Sequence, residues 1–339
     1  MTRKEELRKQ VDYPSDPHTR LKHAFYRWYV ACWMGRVLQG RWAKPGTIID
    51  GFAGSGMYSD GLDGSAIMIA KLFREHLCRP NFQPLTYVTN DLDPRRCDAL
   101  GGRMKALPVD DRIHHVPVGP KKFEDIVTEV RKHHAPPGTQ TLWIIDPYGL
   151  KQIPWSIVAE IVKVPKNDAV ITFMADEAHR YRSNPAMVSV MNGLYGDDSW
   201  RNIPEGLSTA QSKAALVKLY CDKLEALGCH TSSFVKGHLK LPTGGQEKCP
   251  LVANKDCPLA AMNLPVVGGR HWWSWGGQVK ALTPCPCRAW ARRTESPLVW
   301  HRCAWCSSRS TVAVASVLGI SSSNPLGCRL DETATDLRS

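Results

Sequence analysis

Three stretches of this chain place an acid at the end of an apolar run. They are Ile48-Ile49-Asp50-Gly51-Phe52-Ala53-Gly54-Ser55-Gly56, then Asn90-Asp91-Leu92-Asp93 after an apolar 85–89, and Trp143-Ile144-Ile145-Asp146-Pro147-Tyr148-Gly149. In the first, glycines let the backbone approach a ligand and adopt conformations that a Cβ forbids. Asp50 beside them would repel a pyrophosphate, but it suits a cationic amino-acid ammonium, held directly or through water. A lone Gly-x-Gly is also simply a tight turn. In the second, the carboxylate of Asp91 can accept both hydroxyls of a ribose. In the third, Asp146 can accept a hydrogen bond from a substrate amino group, and Tyr148 can stack a planar base. The plainer reading of the third stretch is a strand-terminating turn with a core tyrosine.

Those acids need a scaffold that gathers strand ends. Short apolar runs at 47–49, 85–89, 112–116, 142–145 and 169–173 alternate with helix-length segments at 65–77, 94–107, 122–133 and 153–162. Strands separated by helices pair in parallel through right-handed crossovers, so the expected fold is α/β, a mostly parallel sheet with helices on both faces. Ligands then bind outside the carboxyl ends of the strands. Before the first strand, Leu21, Phe25, Trp28, Cys32 and Gly35, with Ala24 and Ala31, form the stripe of an amphipathic N-terminal helix. Further helices are expected at 186–194 and 209–227, and a strand at 230–235.

Residues 1–17 are polar and end in Tyr13-Pro14-Ser15-Asp16-Pro17, which reads as a flexible arm. The α/β domain is expected over 18–241. From 242 to 339 no period of 2 or 3.6 persists, and six of the chain's twelve tryptophans lie there among Arg, Ser, Cys, Pro and Gly. That composition reads as an irregular or disordered tail. One source for it is translation in a shifted frame, which would leave the sheet without its closing strands.

The chain has 339 residues and a formal net charge of +12, which favours phosphate-bearing partners and equally serves solubility. No stretch reaches the roughly 18 uncharged apolar residues of a membrane span. The opening MTRKEELRKQ has no apolar core for a signal peptide, so a cytoplasmic protein without membrane contact is expected. Nicotinamide binding is disfavoured, because Asp91 lies much further from Asp50 than the usual interval of about 20 residues. The absence of Gly-Lys-Ser/Thr excludes a Walker A loop, and no clustered acids suggest a metal-dependent nuclease.

Taken together, the Asp50–Gly56 and Asp146–Gly149 motifs resemble those of S-adenosylmethionine-dependent methyltransferases. More closely, the chain resembles the three-Cys-motif partner protein (TcmP) family through Lys22-His23, Asp50 to Tyr58, Gly64-Ser65, Asp146 to Gly149, Arg180, and Gly196 with Trp200, over residues 18–240. The resemblance implies a Rossmann-like methyltransferase fold. It implies S-adenosylmethionine as cofactor, with Asp50, Phe52, Ala53, Gly54 and Gly56 beside its methionine part and Asp91 at its ribose. Asp146, Pro147 and Tyr148 would form the acceptor site, nucleic acid being the favoured acceptor. A cysteine-motif protein is implied as partner, which leaves a non-catalytic adaptor as the rival reading. The strand-four motif lacks one proline of the amino-methylating signature, and Lys121-Lys122 stands where an acidic adenine contact is common.

No metal site is expected. Cys285-x-Cys287 and Cys303-x-x-Cys306 have the spacing of a zinc ribbon but no flanking strand pattern. The pairs His114-His115 and His133-His134 read as solvated surface.

Overall fold

The computed structural model describes residues 10–39, 43–76, 78–136 and 138–235, together with strands at 266–267, 270–275, 278–281 and 311–316. Helix α1 (Pro17–Val37) starts where Pro17 presets the first helical turn and Asp16 accepts the Thr19 amide at 2.6 Å. Strand β1 (Gly46–Asp50) follows, then α2 (Ser65–Glu75), β2 (Leu85–Thr89), α3 (Pro94–Lys105), β3 (Ile113–Pro117), α4 (Phe123–His133), β4 (Gln140–Ile145), α5 (Trp155–Val162) and β5 (Asn167–Phe173). The five strands run in the order β3-β2-β1-β4-β5, and every pairing is parallel. The expected α/β architecture, a parallel sheet flanked by helices, is therefore present.

Side chains alternate across the sheet, and each face carries its own core. Ile48, Tyr87, Leu142, Ile144 and Val170 point to α1, α2 and α3. Ile49, Val88, Trp143, Ile145 and Ile171 point to α4, α5 and the helices after β5. Burial on both faces explains why these strands read as continuous apolar runs rather than alternating ones. After β5 come α6 (Ala175–Arg182), α7 (Val188–Tyr195), α8 (Thr209–Ala226) and β6 (His230–Val235). Gly196 ends α7 at φ +78°, and a Ser208–Gln211 capping box starts α8.

One sequence expectation holds only in part. Of the stripe predicted for α1, Phe25 is buried and Trp28 and Ala31 pack against the core, but Ala24 and Cys32 are exposed, and Tyr26, Tyr29, Val30, Trp33 and Met34, outside the stripe, are buried. Apolar residues occur on every side of this helix, so spacing alone does not choose the inward face. The end of the sheet carries a further strand from residues beyond 242. Strand β10 (Thr311–Ser316) lies between β5 and β6, parallel to both. The Thr-Val-Ala-Val-Ala-Ser alternation is strand-like, but nothing in that short segment shows which neighbours it joins. Strands β7 (Val266–Val267), β8 (Arg270–Trp275) and β9 (Gln278–Ala281) form a separate antiparallel sheet. The remainder of 242–339, including Cys285, Cys287, Cys303 and Cys306, lies outside the described residues, as do 1–9 of the arm. Among the described residues no helix is long and apolar enough to cross a membrane.

Candidate functional site

A cavity of about 460 Å³ opens at the carboxyl ends of β1, β4 and β5. It sits at the reversal of strand order between β1 and β4, where open parallel sheets bind ligands, and its size falls within the range of roughly 300–1,000 Å³ usual for small-molecule sites. One wall is the turn after β1, with Phe52, Ala53, Gly54 and Gly56. Gly54 has φ +61° and Gly56 φ +85°, conformations that side-chain-bearing residues rarely adopt. A Cβ at Gly56 would also come within 2.8 Å of Leu100 and 2.9 Å of Ile67. The opposite wall is Asp146, Pro147 and Tyr148 after β4, with Met174, Asp176, Glu177 and Arg180 from the β5–α6 corner. Helix α1 closes a third side with Lys22 and His23.

Seven of the nine expected site residues thus share one cavity. The other two, Asp50 and Asp91, are not among its lining residues. Asp50 is fully buried beneath it, accepting the Ser65 hydroxyl at 2.7 Å and the Phe52 amide at 3.3 Å. Burial raises its carboxyl to about 7, against the opposing pull of the Ser65 hydrogen bond. Ser65, not Asp50, reaches the cavity surface, so Asp50 stands behind that hydroxyl. Asp91 is 4% exposed and borders a separate narrow crevice with Cys97 and Gly119. Its two oxygens accept the Gly54 amide at 3.1 Å and the Asp93 amide at 2.9 Å. It therefore ties the glycine turn to the end of β2. Burial raises its pKa, while the backbone amides and Arg96 oppose the rise.

The acceptor-side carboxylate has a partner that spacing alone does not assign. Lys22 Nζ donates to Asp146 Oδ2 at 2.5 Å. Burial pulls the ammonium down, but the charge and hydrogen bond of Asp146 outweigh it and raise Lys22 above its ordinary value. His23, beside it, is lowered to about 4 by burial and by the Lys22 charge, so the imidazole is neutral at pH 7. Under the same corner, Tyr26 and Thr172 share a hydroxyl–hydroxyl bond of 2.5 Å. Glu177 accepts from the Tyr181 hydroxyl at 2.6 Å and the Leu150 amide at 3.3 Å, which fixes the turn after Tyr148. Asp176 pairs with the buried Lys213. Arg180 is exposed at the cavity mouth.

Tyr148 lines the cavity with a cation beside its ring. Its hydroxyl accepts from Arg96 at 2.8 Å and meets the Tyr13 hydroxyl at 3.1 Å. The Arg96 guanidinium lies 5.2 Å from the Tyr148 ring centre and 5.5 Å from that of Tyr13. Tyr13 belongs to the segment read as an arm. From Gln10 onward that segment is tied to the domain: Asp12 accepts two bonds from Arg103, at 2.9 and 2.6 Å, and one from Ser55, at 2.6 Å. Its polar, proline-flanked composition gives no local sign of these partners, because they are distant in sequence.

Two discounted features also gain definition. His115 is half-buried, 2.8 Å from the Thr89 hydroxyl, whereas His114 is exposed. Lys121 pairs with Glu129. Among the described residues no group of three His, Cys, Asp or Glu is placed to hold a metal ion. Comparison with protein-family models and with curated proteins gives no match.

Proposed function

We propose that this chain is a methyltransferase-like protein of the three-Cys-motif partner type, using S-adenosylmethionine and acting on nucleic acid. The observation that carries the reading is the single cavity in which the Gly54–Gly56 turn faces Asp146, Pro147 and Tyr148 across the switch point of the sheet. Phe52, Ala53, Gly54, Gly56 and Ser65 would hold the amino-acid end of the cofactor. When bound, the cofactor supplies an electrophilic methyl group. The chain's own contribution is placement and exclusion of water. Lys22 holds one oxygen of Asp146, and the other oxygen can accept an N–H from the acceptor. The net charge of +12 suits a polyanionic acceptor.

The nucleoside end fits less well: Asp91 retains lone pairs for a ribose diol but does not face the cavity. That, with Asp50 committed to Ser65, favours a second reading, an adaptor whose methyltransferase-like fold binds a cysteine-motif protein. Calorimetric titration of the full chain with S-adenosylmethionine separates the two. Saturable binding that Gly54→Val abolishes supports the enzyme. No heat from a folded protein that still captures its partner supports the adaptor.

A further inference from the structure

Asp91, the acid best placed to hold a ribose, does not line the cavity, but its neighbour Arg96 does and is held in a clasp. Arg96 is 5% exposed and lines the cavity, and its charge acts on Asp91. Its guanidinium is held between the rings of Tyr13 and Tyr148 and also donates to the Gln10 carbonyl at 3.1 Å. The rest of residues 10–16 runs over the glycine turn. Asp12 bonds Ser55 and Arg103, the Tyr13 carbonyl accepts the Ser59 amide at 3.1 Å, and Ser15 donates to Asp60 at 2.5 Å. Apart from Arg96 and the Tyr13 ring, which packs edge-on against Tyr58 and Tyr148 at 5.4 and 6.4 Å, these contacts are polar bonds between exposed or part-buried groups, the kind that open at low free energy.

We infer that residues 10–16 form an autoinhibitory strap, which holds Arg96 against Tyr148 and must lift before an adenosine-bearing ligand can reach Asp91. This rests on the cofactor reading above. Strap and nucleoside compete for one region, so the closed state lowers the apparent affinity in proportion to its population. Loosening the strap tightens binding. A strap that instead closed over the bound nucleoside would make the same change weaken it.

The test uses the full chain and the variant Asp12→Ala, which removes three hydrogen bonds, none of them to Asp146, Pro147 or Tyr148. Hydrogen exchange at the Ser59 amide reports strap opening without any ligand, and it should accelerate in the variant. Titration with S-adenosylmethionine and with adenosine should then give affinities about three- to tenfold tighter than wild type. Arg103→Ala, which breaks the same clasp from the other side, should repeat both results. Faster exchange with equal or weaker binding would overturn the strap while leaving the cofactor reading intact. Faster exchange with no binding to either protein would overturn both.

Discussion

The ammonium of Lys22 and the carboxylate of Asp146 lie 2.5 Å apart, each side chain 18% exposed, and together they join helix α1 to the end of β4. A pair this secluded is stabilising only while both charges are present. Removing one partner leaves the other desolvated and alone. Lys22→Met and Asp146→Asn should each destabilise the fold by about 2–4 kcal/mol. The double variant should lose less than the sum. Urea unfolding of the four proteins measures this as a double-mutant cycle, and strict additivity would mean the two groups do not interact.

Protonation should shape stability from both sides of neutrality. The Asp50 carboxyl is raised to about 7 by burial, so the folded state holds a proton that the unfolded chain releases near 3.8. Its contribution is complete below pH 3.8 and is lost as pH rises to about 7, at a slope on the order of 1 kcal/mol per pH unit. His23 and His115 act oppositely. Burial lowers both to about 4 from 6.5, so stability falls as pH drops through that window. Asp50→Asn isolates the first term. Relative to the variant, wild-type stability should decline steadily between pH 4 and 7, and a flat difference would show that Asp50 ionises normally.

The path from sequence to site was uneven for physical reasons. Strands β1, β2, β4 and β5 were readable because burial on both faces demands unbroken apolar runs such as Leu142–Ile145. The convergence of the Gly54 turn with Asp146 followed from parallel pairing alone, since it places all those strand ends at one edge. What stayed hidden depends on contacts distant in sequence. Asp50 and Asp91 sit at the anticipated strand ends, but whether a carboxylate faces a cavity or a backbone amide depends on the neighbouring loop. Tyr13 meets Tyr148 across 135 residues, and no local pattern encodes that.

The two glycines of the turn should respond differently to alanine. Both have positive φ, which costs a side-chain-bearing residue about 1–2 kcal/mol. A Cβ at Gly54 meets nothing closer than the Tyr148 hydroxyl at 3.9 Å. At Gly56 it would also strike Leu100 and Ile67, both in the buried core. Gly54→Ala should therefore lose about 1 kcal/mol, and Gly56→Ala at least twice as much, read as a difference in melting temperature. Equal losses would mean that the core yields around Gly56 without cost.

Strand β10 decides whether residues 10–235 are sufficient as a folding unit. Val314 is aligned with Ile171 of β5 and Ser233 of β6, so its backbone belongs to an interior strand. Proline there removes an amide donor and cannot keep a central ladder. Val314→Pro should lower stability by roughly 2 kcal/mol or more and expose the facing edges of β5 and β6, which favours association between chains. Ending the chain at 240 should have the same effect more strongly, since no strand then fills the gap. Melting and light scattering of both proteins test this. If both scatter light and melt like the full chain, β10 contributes nothing to the sheet and the domain closes without it.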